Sequence, residues 1–204
     1  MAVNLVKGQK VNLVKESAGL RRIRVGLGWD EAQPQKGILA SLFSMKPADI
    51  DCDASVILCG ENGRVIGRSI ADCCVYFGNL RHASGAIVHA GDNLTGSGDG
   101  DDEQIHVDLA ALPAEVAKLV FVVNIYDANV RRQHFGMIRN AYIRIVDARN
   151  ERELCRYSLT DDFGGMTGLI VGEMARCGSQ WEFEAVGRGV RDASRLDKLI
   201  SLYR

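Results

Sequence analysis

The stretch Gly91–Leu109, GDNLTGSGDGDDEQIHVDL, changes character half-way along. In its second half Ile105, Val107 and Leu109 alternate with Gln104, His106 and Asp108, the period-2 pattern of a half-buried strand. In its first half Asp92, Asp99, Asp101, Asp102 and Glu103 crowd five carboxylates among Gly96, Gly98 and Gly100, with no Lys or Arg to neutralise them. Like charges this close repel, and ordering glycine costs more backbone entropy than ordering any other residue. A folded loop of this composition therefore needs an external source of positive charge.

The neighbouring segments repeat the strand signal. GAIVHAG precedes the loop, and ASVILCGENGRVIG, CCVYFG, KLVFVVNIYD, AYIRIVD, LCRYSL and QWEFEAVG are further short runs rich in β-branched and aromatic residues. In LRRIRVGLGW, Ile23, Val25 and Leu27 share one face, and Glu61-Asn62-Gly63 reads as a turn. VNLVKGQKVNLVK repeats Asn-Leu-Val-Lys across Gly8, which predicts a hairpin. GMTGLIVGEMAR reads as a strand paired with QWEFEAVG across CGSQ. Two segments have helical spacing instead: KGILASLFSMK (Lys36–Lys46) and RDASRLDKLISLYR (191–204), the latter closing the chain. The predicted fold is all-β, a β-sandwich of two antiparallel sheets with a few short helices, one of them C-terminal. With 204 residues, three prolines and no composition shift, residues 1–204 read as one domain.

Net charge is −1, so the acidity is local rather than general. No apolar run approaches the roughly 20 residues of a membrane-spanning helix, and the first residues lack a signal peptide's apolar region. The expectation is a cytoplasmic protein. Six cysteines show no CxxC pair or zinc-site spacing and read as buried thiols. Of the vicinal Cys73-Cys74, a strand would turn one inward and leave the other exposed. The basic clusters in GLRRIR and NVRRQHF have no aromatic stripe beside them and read as solvated faces, not nucleic-acid sites.

Hard cations such as Ca²⁺ take six to eight oxygen ligands, and Asp92, Asn93, Asp99, Asp101, Asp102 and Glu103 supply them. The segment contains no Cys or His within the acidic run, so zinc and copper match poorly. Its spacing is not that of an EF-hand, and a P-loop would need a Lys after the glycines. In DIDCDAS, Asp51 and Asp53 fall on one strand face with Cys52 on the other, and Asp30 ends the strand of GLGWD. These three suggest acids gathered at one end of the sandwich.

GLGWD, DCDAS, VHAGDNLTGSGDGDDEQIHVDL, FVVNIYDA, Asn140-Ala141 of NAYIRIVD and LCRYSLTDDF occur in the order found in bacterial tellurium-resistance proteins of the TerD type, which the chain resembles over nearly its whole length. The resemblance implies a β-sandwich that binds Ca²⁺ through acidic loops, works in stress-response systems and has no established enzymatic activity. Carried over, the ligands are Asp92, Asn93, Asp99, Asp101, Asp102 and Glu103, joined by Asp30, Asp51 and Asp53. Two departures are Cys52, where the family often has Leu, and Ser97, where Glu is common; the connection at 31–49 is longer than in short members.

The leading expectation is a metal-ordered interaction module of a cytoplasmic tellurite and general stress-resistance system. Its partners would be other stress-resistance proteins, with the inner membrane surface as one meeting place. Two alternatives stand: a metal-dependent hydrolase acting on phosphate esters, since clustered carboxylates also hold catalytic metals, and a calcium-dependent lipid-docking module. The hydrolase lacks a visible base, because His82, His89, His106 and His134 are scattered.

Overall fold

The computed structural model describes residues 2–31, 50–91 and 100–204. Among the described residues twelve strands form two six-stranded sheets. The first combines β1 (Val3–Leu5), β3 (Arg22–Glu31), β6 (Ile87–His89), β7 (Glu103–Asp108), β9 (Ile138–Asp147) and β10 (Arg152–Ser158) in the order β1-β10-β9-β3-β7-β6. The second combines β2 (Lys10–Asn12), β4 (Cys52–Cys59), β5 (Cys74–Val75), β8 (Lys118–Ile125), β11 (Gly168–Cys177) and β12 (Gln180–Val190) in the order β2-β12-β11-β8-β4-β5. All pairings are antiparallel except that of β1 with β10. The all-β sandwich expected from the sequence is the fold observed.

The alternation read in the sequence becomes the core between the sheets. Ile23, Val25 and Leu27 of β3, Ile105 and Val107 of β7, and Ile143 and Ile145 of β9 face Ala54, Val56 and Leu58 of β4 and Phe121 and Val123 of β8. Strand β4 is buried on its other face as well, where Ile57 and Cys59 meet Val120, Val122 and Ile170 under the C-terminal helix α4 (Leu196–Ser201). That double burial explains the unbroken apolar run of ASVILC. The predicted pairing of GMTGLIVGEMAR with QWEFEAVG is β11 with β12, in register from Cys177↔Gln180.

Three expectations are corrected. VNLVKGQKVNLVK is not a hairpin: β1 joins β10 in one sheet and β2 joins β12 in the other. The chain crosses between the layers at Lys7–Gly8, where Gly8 N–H donates to Ala185 O (2.7 Å). The second Asn-Leu-Val-Lys is then a cap and a turn of helix, because the Asn12 side chain accepts from Val14 and Lys15 N–H and starts α1 (Leu13–Glu16). Cys73 and Cys74, at the end of α2 (Ile70–Cys73) and the start of β5, are both buried under α4, so neither thiol is exposed; Cys177 is the exposed one. The closing helix is shorter than 191–204, since Arg191–Arg195 precede it in non-helical conformation. The Lys36–Lys46 segment and most of the 31–49 connection lie outside the described residues.

Candidate metal site at the acidic end of the sandwich

Strand β3 leaves its sheet at the end where β7 enters, and β4 begins at the same end of the opposite sheet. Asp30, Asp51, Asp53, Asp101, Asp102 and Glu103 are thereby brought to one end of the molecule, as the sequence suggested. Asp92, Asn93 and Asp99 lie outside the described residues. Backbone bonds fix the junction: Asp102 N–H donates to Leu27 O (2.8 Å), and Trp29 N–H donates to the Asp102 carboxylate (2.7 Å). Burial, then the charges of Asp30 and Asp101, raise Asp102 above the usual carboxylate range, against the lowering by the Trp29 N–H.

Asp101 has a partner the local sequence did not show. Its fully buried carboxylate takes a two-point ion pair from Arg144 on β9, with Nε at 2.6 Å and the second guanidinium nitrogen at 3.0 Å. The Tyr142 hydroxyl donates to Gly100 O (2.6 Å) and approaches Asp101 at 3.1 Å. Burial and the Asp101 charge push the Tyr142 hydroxyl up to about 12, so it remains a donor. Arg156 stacks over the Tyr142 ring at 4.1 Å, and both Arg144 and Arg156 bond Glu153. This assembly lies flat on β3, which is why GLGWD carries two glycines: a Cβ on Gly26 would come within 2.2 Å of the Asp101 carboxylate, and one on Gly28 within 2.5 Å of the Tyr142 ring. Asp101, expected as a metal ligand, is bonded here by Arg144 and Tyr142.

Glu103 is also engaged. It is buried at the start of β7 and accepts the N–H of Ala54 on β4. His89, buried on β6, presents Nε2 to Ala54 O (3.2 Å) and lies 3.5 Å from Glu103, while its Nδ1 accepts from Gly91 N–H (3.2 Å). That acceptor role places the ring proton on Nε2 in the neutral form. Strand β5 pairs with β4 only at Val56 and Ile57, so Ala54 has no β5 neighbour. Glu103 and His89, from the facing sheet, take the place of that missing strand and tie the two sheets together at the acidic end.

The remaining acids are less enclosed by cations. Asp30 accepts from Asn140 Nδ2 (2.7 Å), Asp51 faces Arg131 at 3.8 Å, and Asp53 accepts from Asn124 Nδ2 (3.2 Å) on β8. Burial foremost, and then the charges of Asp53, Glu103, Asp51 and Asp102, push the Cys52 thiol well above its ordinary value. Asn124 was not singled out from the sequence, although an amide inside the apolar run FVVNIYD was the available signal. Its Oδ1 is buried and accepts no hydrogen bond. Leaving such a group unmade costs about 1–3 kcal/mol. The donor set of Asp30, Asp51, Asp53, Asp102 and Asn124 is all oxygen and fits a hard cation. Among the described residues, no three His, Cys, Asp or Glu side chains already converge as a metal-binding group. A cleft of about 1010 Å³ opens beside Asp30 and Gly100, bounded also by Trp29, Asn140, Tyr142 and Arg156, and gives this end access from solvent.

Known proteins resemble the chain over nearly its whole length. A family model described as the TerD domain matches residues 1–203. The stress response protein SCP2 of Bacillus subtilis (strain 168) is 49% identical over 203 residues, covering all of both chains. Tellurium resistance protein TerD of Serratia marcescens is 42% identical over 189 residues, covering 93% of this chain and 91% of that one. Among solved structures, a homologue of telluride resistance protein (TerD) from Streptomyces coelicolor A3(2) superposes with a TM-score of 0.60 at 23% identity, covering 85% of this chain and 92% of its own, a likeness of fold.

Proposed function

The chain belongs to the TerD family, and we propose that it acts in a tellurite and general stress response as a calcium-binding interaction module of the cytoplasm. The observation that carries the metal reading is the buried Oδ1 of Asn124, without a hydrogen-bond partner, beside Asp53 at the end where the acids gather. When bound, calcium would add positive charge beside these acids and accept six to eight oxygens in flexible geometry. Asp30, Asp51, Asp53, Asp102 and Asn124 are the described residues placed to hold it, with Asp92, Asn93 and Asp99 of the acidic loop. Asp101 and Glu103, also expected as ligands, are bonded by Arg144 and by the Ala54 N–H.

Other stress-resistance proteins are the partners this reading expects, binding the acidic end once it is ordered. No helix of the described residues is long and apolar enough to cross a membrane. The hydrolytic alternative gains nothing from the geometry: His89, the histidine among the described residues that contacts a site acid, uses its ring nitrogens on Gly91 and Ala54. Calorimetric titration tests the proposal. Calcium should bind at least tenfold more tightly than magnesium, and Asn124→Ala or Asp53→Asn should weaken calcium binding at least tenfold. No heat from either metal, or variants indistinguishable from the parent, would overturn it.

A further inference from the structure

The acidic end also carries apolar side chains that the metal reading leaves unused. Among the described residues eight large hydrophobic side chains are exposed, and four of them, Phe77, Leu80, Tyr126 and Val130, belong to connections at this end. Phe77 sits in the tight turn closed by the Tyr76–Asn79 backbone pair, and its ring packs edge-on against Tyr126 at 6.5 Å. Leu80 follows that turn and accepts from His89 N–H (2.8 Å), next to the entry of the acidic loop. Tyr126 N–H donates to Asp51 O (2.8 Å), directly behind the candidate ligands. Val130 lies on the one-turn helix α3 (Ala128–Arg131) and is 82% exposed, the most of any large hydrophobic among the described residues. Arg131 covers the Tyr126 ring at 5.5 Å and faces Asp51, and Arg132 beside it is exposed.

We infer that this rim docks the protein onto an anionic bilayer surface, with Val130, Tyr126, Phe77 and Leu80 entering the interface and Arg131 and Arg132 meeting lipid phosphates. The four side chains project from separate connections and form tips, not a groove. Even together they fall short of the roughly 1,200–2,000 Å² that a stable protein interface buries. A few apolar and aromatic tips with flanking arginines are, by contrast, sufficient for interfacial contact. Charge decides when contact occurs. The acids of this end repel anionic lipid until they are neutralised, so docking rests on the calcium reading above and should follow the metal.

Flotation with phosphatidylcholine vesicles, with and without phosphatidylglycerol, in calcium or chelator, tests the inference on the full chain. Binding is expected only to the anionic vesicles in calcium. Val130→Asp should reduce it at least tenfold, and Arg132→Asn, which keeps a residue tolerant of the left-handed backbone at this position (φ 55), by roughly fivefold, with the calorimetric calcium response unchanged in both. Calcium heat without vesicle binding, or Val130→Asp floating like the parent, would overturn the docking surface while the metal site stands. Binding that persists in chelator and is lost in Val130→Asp would retain the surface and overturn its dependence on calcium, which calorimetry tests separately. Self-association by sedimentation that Val130→Asp abolishes, with no flotation, would assign the rim to a second copy and refute the bilayer.

Discussion

Gly26→Ala should destabilise the protein through a single contact. Its new Cβ would sit 2.2 Å from the Asp101 carboxylate, a separation that atoms do not tolerate, and the carboxylate is held on its other side by Arg144 at 2.6 and 3.0 Å. Either β3 moves within the sheet or Asp101 leaves its pair. Breaking a buried pair typically costs 3–5 kcal/mol, and Arg144 keeps Glu153 and partial solvent access, so the lower figure of about 3 kcal/mol applies. For a chain of this size that lowers Tm by about 6–12 °C. Thermal unfolding by circular dichroism measures it, and a double-mutant cycle isolates the cause. In an Asp101→Ala background the carboxylate is gone, so Gly26→Ala should then be neutral or stabilise by up to about 1 kcal/mol, since glycine inside a strand is less favourable than alanine by about that much. Costs that simply add, or a Tm unchanged in the single variant, would refute the reasoning.

Asp147 is buried and bonded by Arg149, by Ser17 Oγ at 2.6 Å and by Arg149 N–H, and the Arg149 guanidinium foremost holds it well below the usual carboxylate range against the opposing effect of burial. A depressed value in the folded state contributes stability above the unfolded value near 4 that is lost as pH falls below it. Asp147→Asn should therefore melt a few degrees lower at pH 7, with the difference narrowing steadily as pH falls from about 4 towards 2; a constant difference across that range would contradict this. Calcium at a hundred times its dissociation constant should stabilise by about 2.7 kcal/mol, and a Tm insensitive to chelator would show that the acids do not bind it. Glu103→Gln should retain the fold but destabilise it by about 1 kcal/mol, because Ala54 N–H exchanges a charged acceptor for a neutral one; an unchanged Tm would show the inter-sheet tie to be dispensable. A thiol reagent should titrate one cysteine, Cys177, in the native protein and six in denaturant, and rapid reaction of a second native thiol would contradict the burial of Cys73 and Cys74.

Period-2 alternation was sufficient to place β7, β12 and the first half of β3, because each has one face on the core and the other more exposed, whereas β11 is buried on both faces and was read as the partner of QWEFEAVG across CGSQ. It failed at residues 3–13, where the same alternation is compatible with a hairpin or with two strands entering different layers. Only the distant Ala185 decides between them. At the site, local acid density was legible, whereas Arg144 and Ala54 were not, since a neutralising partner on another strand leaves no trace beside the residue it neutralises. The purpose of Gly26 was hidden for the same reason: its constraint is a side chain from a different strand lying across it. Asn124 was readable in principle, as a polar residue where the β8 pattern required an apolar one.

The passage of the N-terminal strands into opposite layers has a consequence for handling the protein. Residues 3–12 cover the outer edge of β10 in one sheet and of β12 in the other. Removing that short segment would bare two long hydrogen-bonding edges at once, on opposite layers of the same particle. Such a particle is divalent for edge-to-edge pairing, so each copy could recruit a neighbour on both sides and grow chains rather than stop at a dimer.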